Sequence, residues 1–139
     1  MSTLTSNDAK PVNPPSLPSG PRERFCYSFA VRTGNVIWVS GQVSMSPEGE
    51  IVGVDDVVKQ TEQVFENLST VLAEAGGTLD DIVSTTTYMV DRAHILDIND
   101  VRARYITGPC PPTSTLLIVA GLARPDFLVE ISAVAVIPE

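Results

Sequence analysis

From Phe25 onward, short runs of β-branched and aromatic residues alternate with two longer amphipathic stretches. Phe25 to Thr33, the pair Gly34-Asn35 and the run Val36-Ile37-Trp38-Val39 read as two strands joined by a two-residue hairpin turn. The second strand ends at Ser40-Gly41-Gln42, and Pro47-Glu48-Gly49 makes a loop before a short apolar piece, Ile51-Val52. Asp55 stands where it can cap a helix running to about Ala75, because Val58, Phe65, Leu68, Leu72 and Ala75 recur at steps of three and four. Gly76-Gly77 stops that helix through a left-handed cap. Ile82 to Val90 reads as a third strand, and Asp91 caps a second helix from about Arg92 to Tyr105 with a narrower stripe of Ile95, Ile98, Val101 or Arg102, and Tyr105. Gly108-Pro109-Cys110-Pro111-Pro112 excludes helix and central strand, and two final strands follow, Thr113 to Ala120 and Asp126 to Ile137. The order β-β-α-β-α-β-β is an α+β pattern in which two helices cover one face of a mixed sheet.

The last strand says something about the other face. Phe127, Val129, Ile131, Ala133, Ala135 and Ile137 form one side, and Leu128, Glu130, Ser132, Val134 and Val136 the other. Both are largely apolar, yet the helices cover only one, so the second packs against another subunit. Glu130 interrupts that second face. A carboxylate there is paired, hydrogen-bonded or raised in pKa by desolvation, all of which suit a general acid or base. A structural glutamate held by backbone amides or an arginine fits the same pattern, and spacing leaves both readings open.

Composition narrows the functional classes. The chain has 139 residues, enough for one domain with a real core, and a net charge of −8. Five prolines (Pro11, Pro14, Pro15, Pro18 and Pro21) and few apolar residues mark residues 1–24 as an extended or flexible arm preceding a single domain over 25–139, with order able to begin near Arg22 if the arm's end packs over a site. No apolar run is long enough for a membrane helix and the polar start is no signal peptide, so a cytoplasmic protein without membrane contact is the expectation. The negative charge opposes nucleic-acid binding. Cys26 and Cys110 fit no metal or disulfide spacing and His94 is the only histidine, so no metal is expected. Cys26 reads as a small core residue, Cys110 as a buried inert thiol and His94 as surface; Asp55-Asp56 and Asp80-Asp81 read as caps.

Several segments, taken in order, resemble the reactive intermediate deaminase (RidA/YjgF-like) family from about Tyr27 to Ile137. They are Gly34 with the strand into Ser40-Gly41-Gln42, Gln60, Gln63 and Asn67 on the first helix, Gly76, Asp81-Ile82-Val83 leading to Tyr88, Asn99, and Glu130-Ile131-x-Ala133-x-Ala135. The resemblance implies a chorismate-mutase-like α+β domain assembled as a homotrimer, with clefts between neighbouring subunits. It implies hydrolysis of reactive enamines and imines, such as 2-aminoacrylate and its imine tautomer, to a 2-keto acid and ammonia, with no cofactor and no metal. Glu130 matches the family's water-activating glutamate and Tyr27 its tyrosine. Ser40 and Gly41 match the cleft-lining turn, and Asn99 a helix residue of the same region.

One position departs from the pattern. Deaminating members carry P-x-R-S, whose arginine holds the substrate carboxylate, whereas Pro112-Thr113-Ser114-Thr115 places Ser114 there. A hydroxyl cannot reproduce a bidentate arginine–carboxylate contact, and a lost buried charge partner costs about 2 to 5 kcal/mol. The small-molecule substrate expected is therefore not the usual 2-imino acid: Ser114 and Thr115 bind a neutral polar group, or Arg22, Arg24 or Arg124 supplies charge. The alternatives are a non-catalytic trimer that binds a small ligand and, ranked last on charge, the endoribonuclease label the family also carries.

Overall fold

The protein's structure, a computed structural model, describes residues 8–138. Six strands and three α-helices alternate along it: β1 (Lys10–Val12), α1 (Gly20–Arg24), β2 (Ala30–Thr33), β3 (Val36–Gln42), α2 (Val57–Glu74), β4 (Ile82–Met89), α3 (Ile95–Tyr105), β5 (Thr113–Ile118) and β6 (Val129–Val136). The strands form one sheet in the order β1-β2-β3-β6-β4-β5, antiparallel except for the parallel β4–β5 pair. The mixed sheet of the expected α+β class is present.

Local chemistry accounts for the boundaries. Gly34 adopts φ 59 at the first position of the β2–β3 turn, where a two-residue hairpin favours glycine. The cap of α2 is Asp56 rather than the expected Asp55; its side chain accepts the Lys59 N–H at 3.0 Å, while Asp55 holds φ 60 in the turn before it. At the other end, Gly77 N–H reaches Leu72 O at 2.8 Å and Gly76 N–H reaches Ala73 O at 3.0 Å, the paired bonds of a Schellman stop. Asp91 caps as expected, accepting the Ala93 N–H, but the first turn, Arg92–His94, is a 3-10 turn before α3 begins. Asp81 completes a capping box with Thr78.

A single core lies between the sheet and the helices. Val64, Phe65, Leu68, Val71 and Leu72 of α2 and Ile98 and Val101 of α3 meet Ile37, Ile131, Ala133 and Ala135 of the sheet. The opposite face stays open, with Trp38 52% exposed and Val83 and Val136 also exposed.

The N-terminal stretch corrects an expectation. Residues 1–7 lie outside the described residues, but from residue 8 the segment read as a flexible arm is folded onto the sheet. Val12 and Leu17 are buried in the common core, and Asn13 Oδ1 accepts the Phe29 N–H at 2.9 Å. A proline in the β1 edge strand needs no ladder donor, which is why Pro11 is tolerated there. This packing also shortens the first expected strand, which starts at Ala30 rather than Phe25 because α1 and its cap occupy the preceding residues.

Candidate functional site

An irregularity in β3 shapes the site. The register passes from Val39↔Ala133 to Gln42↔Ile131, so β3 carries one extra residue at Ser40-Gly41. Beside this bulge stands Glu130 of β6. A Cβ on Gly41 would lie 2.7 Å from Glu130 Cδ, so only glycine leaves room for the carboxyl group in that position. Ser40 ties the bulge to the segment before β2: its N–H donates to Phe29 O at 2.8 Å and its hydroxyl to Ser28 O at 2.6 Å. With its proton committed, the Ser40 oxygen remains free to accept.

Tyr27 comes from the end of α1. Tyr27 N–H donates to Arg22 O at 3.0 Å, closing a Schellman-like turn in which Cys26 takes the left-handed position at φ 59. The Tyr27 ring meets Phe29 edge-on at 6.4 Å. Together these residues line a cleft of about 870 Å³, with Leu17, Pro18 and Pro21 on the N-terminal side and Phe127, Ala123 and Arg124 on the other. That volume lies within the range of about 300–1,000 Å³ found for small-molecule sites.

The electrostatics favour proton chemistry. Glu130 is half-buried and makes no hydrogen bond or ion pair with any described residue, and burial raises its pKa above the ordinary 4.5. The Tyr27 phenol is also raised, first by burial and then by Glu130, with Arg22 pulling the other way. Tyr27 is therefore a phenol donor in the same cleft as a carboxyl group of heightened basicity. Among the described residues no group of three or more His, Cys, Asp or Glu stands together to hold a metal, and no helix is long and apolar enough to cross a membrane.

Of the residues singled out in the sequence, Tyr27, Ser40, Gly41 and Glu130 line this cleft; Asn99, Ser114 and Thr115 do not. Asn99 is exposed on α3, and Ser114 and Thr115 are exposed on β5. The register aligns Ser114 with the buried Thr85 on the helix-covered face, whereas Glu130 aligns with Tyr88 and Leu117 on the open face. Two thiol expectations are corrected: Cys26 is exposed at the α1 cap and Cys110 is exposed in the proline-rich loop, where neither has a core to enter.

Other contributors carried weaker signals. Gln60 is fully buried and holds three loop groups, donating to Gly53 O and Asp126 O and accepting from Leu128 N–H at 2.9 Å. Asn67 lines the cleft and donates to Val43 O and Met45 O, fixing the loop beyond the bulge. Arg102 is half-buried on α3 and donates to Thr85 Oγ1 at 2.9 Å; burial lowers its pKa. Its place in a narrow amphipathic stripe concealed it.

The family model described as endoribonuclease L-PSP matches residues 19–137. A RutC family protein of Pyrococcus abyssi is 39% identical over 133 residues, covering 95% of this chain and 93% of its own. Another, of Saccharolobus solfataricus, is 36% identical, covering 95% and 94%. The solved structure of the Rid family protein YyfA from Yersinia pestis, described as of unknown function, superposes with a TM-score of 0.83 at 32% identity, over 93% of this chain and 99% of its own. A match spanning nearly the whole described chain, in sequence and in fold, makes this protein a member of the YjgF/RidA family, the family whose model is described as endoribonuclease L-PSP.

Proposed function

We propose that the cleft beside Glu130 hydrolyses a reactive enamine or imine to a carbonyl compound and ammonia, without a cofactor. The observation that carries this reading is a half-buried, unpartnered carboxylate of raised pKa in a cleft shared with a protonated phenol. Glu130 accepts a proton from water as the water oxygen bonds to the imine carbon and the C=N π pair moves to nitrogen. The proton passes to that nitrogen, giving a carbinolamine. Glu130 then takes the carbinolamine hydroxyl proton and delivers it to the amino nitrogen, so that the C–N bond breaks with release of ammonia as the C=O bond forms. Tyr27 steadies the developing oxygen by hydrogen bonding, and the Ser40 oxygen accepts from the N–H. An enamine enters the same route once it tautomerises to the imine, its carbon gaining a proton and its nitrogen losing one.

In this reading three copies of the chain assemble, and Asn99, Ser114 and Thr115 complete the cleft from a neighbouring copy. The exposed apolar residues of the open face and of β5, among them Trp38, Leu116 and Leu117, support it. Ser114 gives no cation, so the substrate is not a small 2-imino acid held in the manner of the deaminating relatives. Ammonia release over a panel of enzymatically generated imines tests the reaction. Wild type exceeds buffer for at least one member and Glu130→Ala does not; equality of wild type, variant and buffer across the panel refutes it.

The Ser114 hydroxyl also motivates a second reading, a trimer that binds a small ligand without turnover. Saturable binding of a ligand recovered unchanged, with no imine hydrolysed, distinguishes it. Ribonuclease activity is disfavoured by the net charge of −8; RNA cleavage abolished in Glu130→Ala would reverse that ranking.

A further inference from the structure

The charge around the cleft runs against the charge of the chain. Arg24, the last residue of α1, and Arg124, in the connection between β5 and β6, both line it, and among the described residues Glu130 is the only carboxylate that does. Neither arginine forms an ion pair with a described residue; the pair that does form, Arg104 with Glu62, joins α3 to α2. A third cation, Arg22, lies on α1 with its Nε buried and lacking a hydrogen-bond partner among the described residues. In a protein of net charge −8, a cleft with two unpaired guanidiniums against one half-buried carboxylate draws anions in.

The walls are apolar. Leu17, Phe29, Val43, Met45 and Phe127 line the cleft, and Phe25 at its margin is 69% exposed, with the Arg24 guanidinium carbon 5.7 Å from its ring centroid. An exposed aromatic paired with a guanidinium offers one surface for an apolar body and one fork for an anionic group.

We infer that the cleft selects an imine or enamine that carries an apolar body and a single anionic group, such as a carboxylate, with Arg24 at the end of α1 and Arg124 in the β5–β6 connection holding that anion. Arg24 and Arg124 are specificity-determining residues for the reaction proposed above, on which the substrate class rests. The anchor comes from the end of α1 and the β5–β6 connection, and β5 does not supply it.

Calorimetric titration of the full chain with phenylacetate and with uncharged phenylacetamide tests the anchor apart from the chemistry, since neither probe is an imine. Wild type binds the carboxylate about tenfold more tightly than the amide. Arg24→Gln and Arg124→Gln, both at exposed positions, each reduce that preference. Equal affinity of wild type for the two probes overturns the inference, and so does a preference that survives in both variants. An arginine-dependent preference in a protein that releases no ammonia keeps the anion site and removes only the hydrolase reading.

Discussion

Glu130 and Gly41 form a matched pair, and each predicts a different experiment. Because the atoms nearest a Cβ at position 41 belong to the Glu130 side chain, Gly41→Ala is accommodated by moving the carboxyl group rather than the backbone. It therefore lowers activity by about tenfold or more while changing thermal stability little, as initial rates and a melting curve will read. Glu130 itself weakens the fold where it is charged. Its folded pKa is raised above the unfolded value, so its contribution is fully present below the ordinary carboxylate range and is lost as pH rises through the raised value. Glu130→Gln thus melts close to wild type at pH 4 and higher than wild type at pH 7; a variant less stable than wild type at neutral pH would contradict this. The odd polarity of Glu130 on an apolar face was legible in the sequence. Its separation from Ser114, onto opposite faces of the sheet, depends on strand order and was not.

Among the elements, α2 does more than bury an apolar stripe. Its apolar residues and its glycine stop could be read from spacing of three and four, because helix periodicity is local. The roles of Gln60 and Asn67 could not, since their partners lie in loops distant in sequence. Gln60→Leu strands the Leu128 N–H and two carbonyls in a buried setting, and is predicted to cost about 3 kcal/mol in chemical denaturation. A loss below about 1 kcal/mol would show that water replaces those bonds. The N-terminal stretch misled for the opposite reason. Its proline content argues for disorder, but three anchors, Val12, Leu17 and Asn13, suffice to fold it over the cleft, where α1 delivers both Tyr27 and Arg24.

At the scale of the whole molecule, the open sheet face and β5 leave a broad apolar surface unclaimed by the helices, which the two-sided pattern of the last strand already implied. The assembly proposed here predicts three copies by light scattering, and Leu117→Lys, which places a charge in that surface beside the Glu130 row, shifts the protein to single chains with its circular dichroism retained. Single chains that keep full activity would separate the site from assembly. The proposed activation of water by Glu130 is read out in the pH profile of imine hydrolysis. The expected wild-type rate has an acid limb above the ordinary carboxylate value of 4.5, and the Glu130→Gln rate is indistinguishable from buffer across the range. A folded Glu130→Gln protein with the wild-type rate and the same acid limb would contradict it.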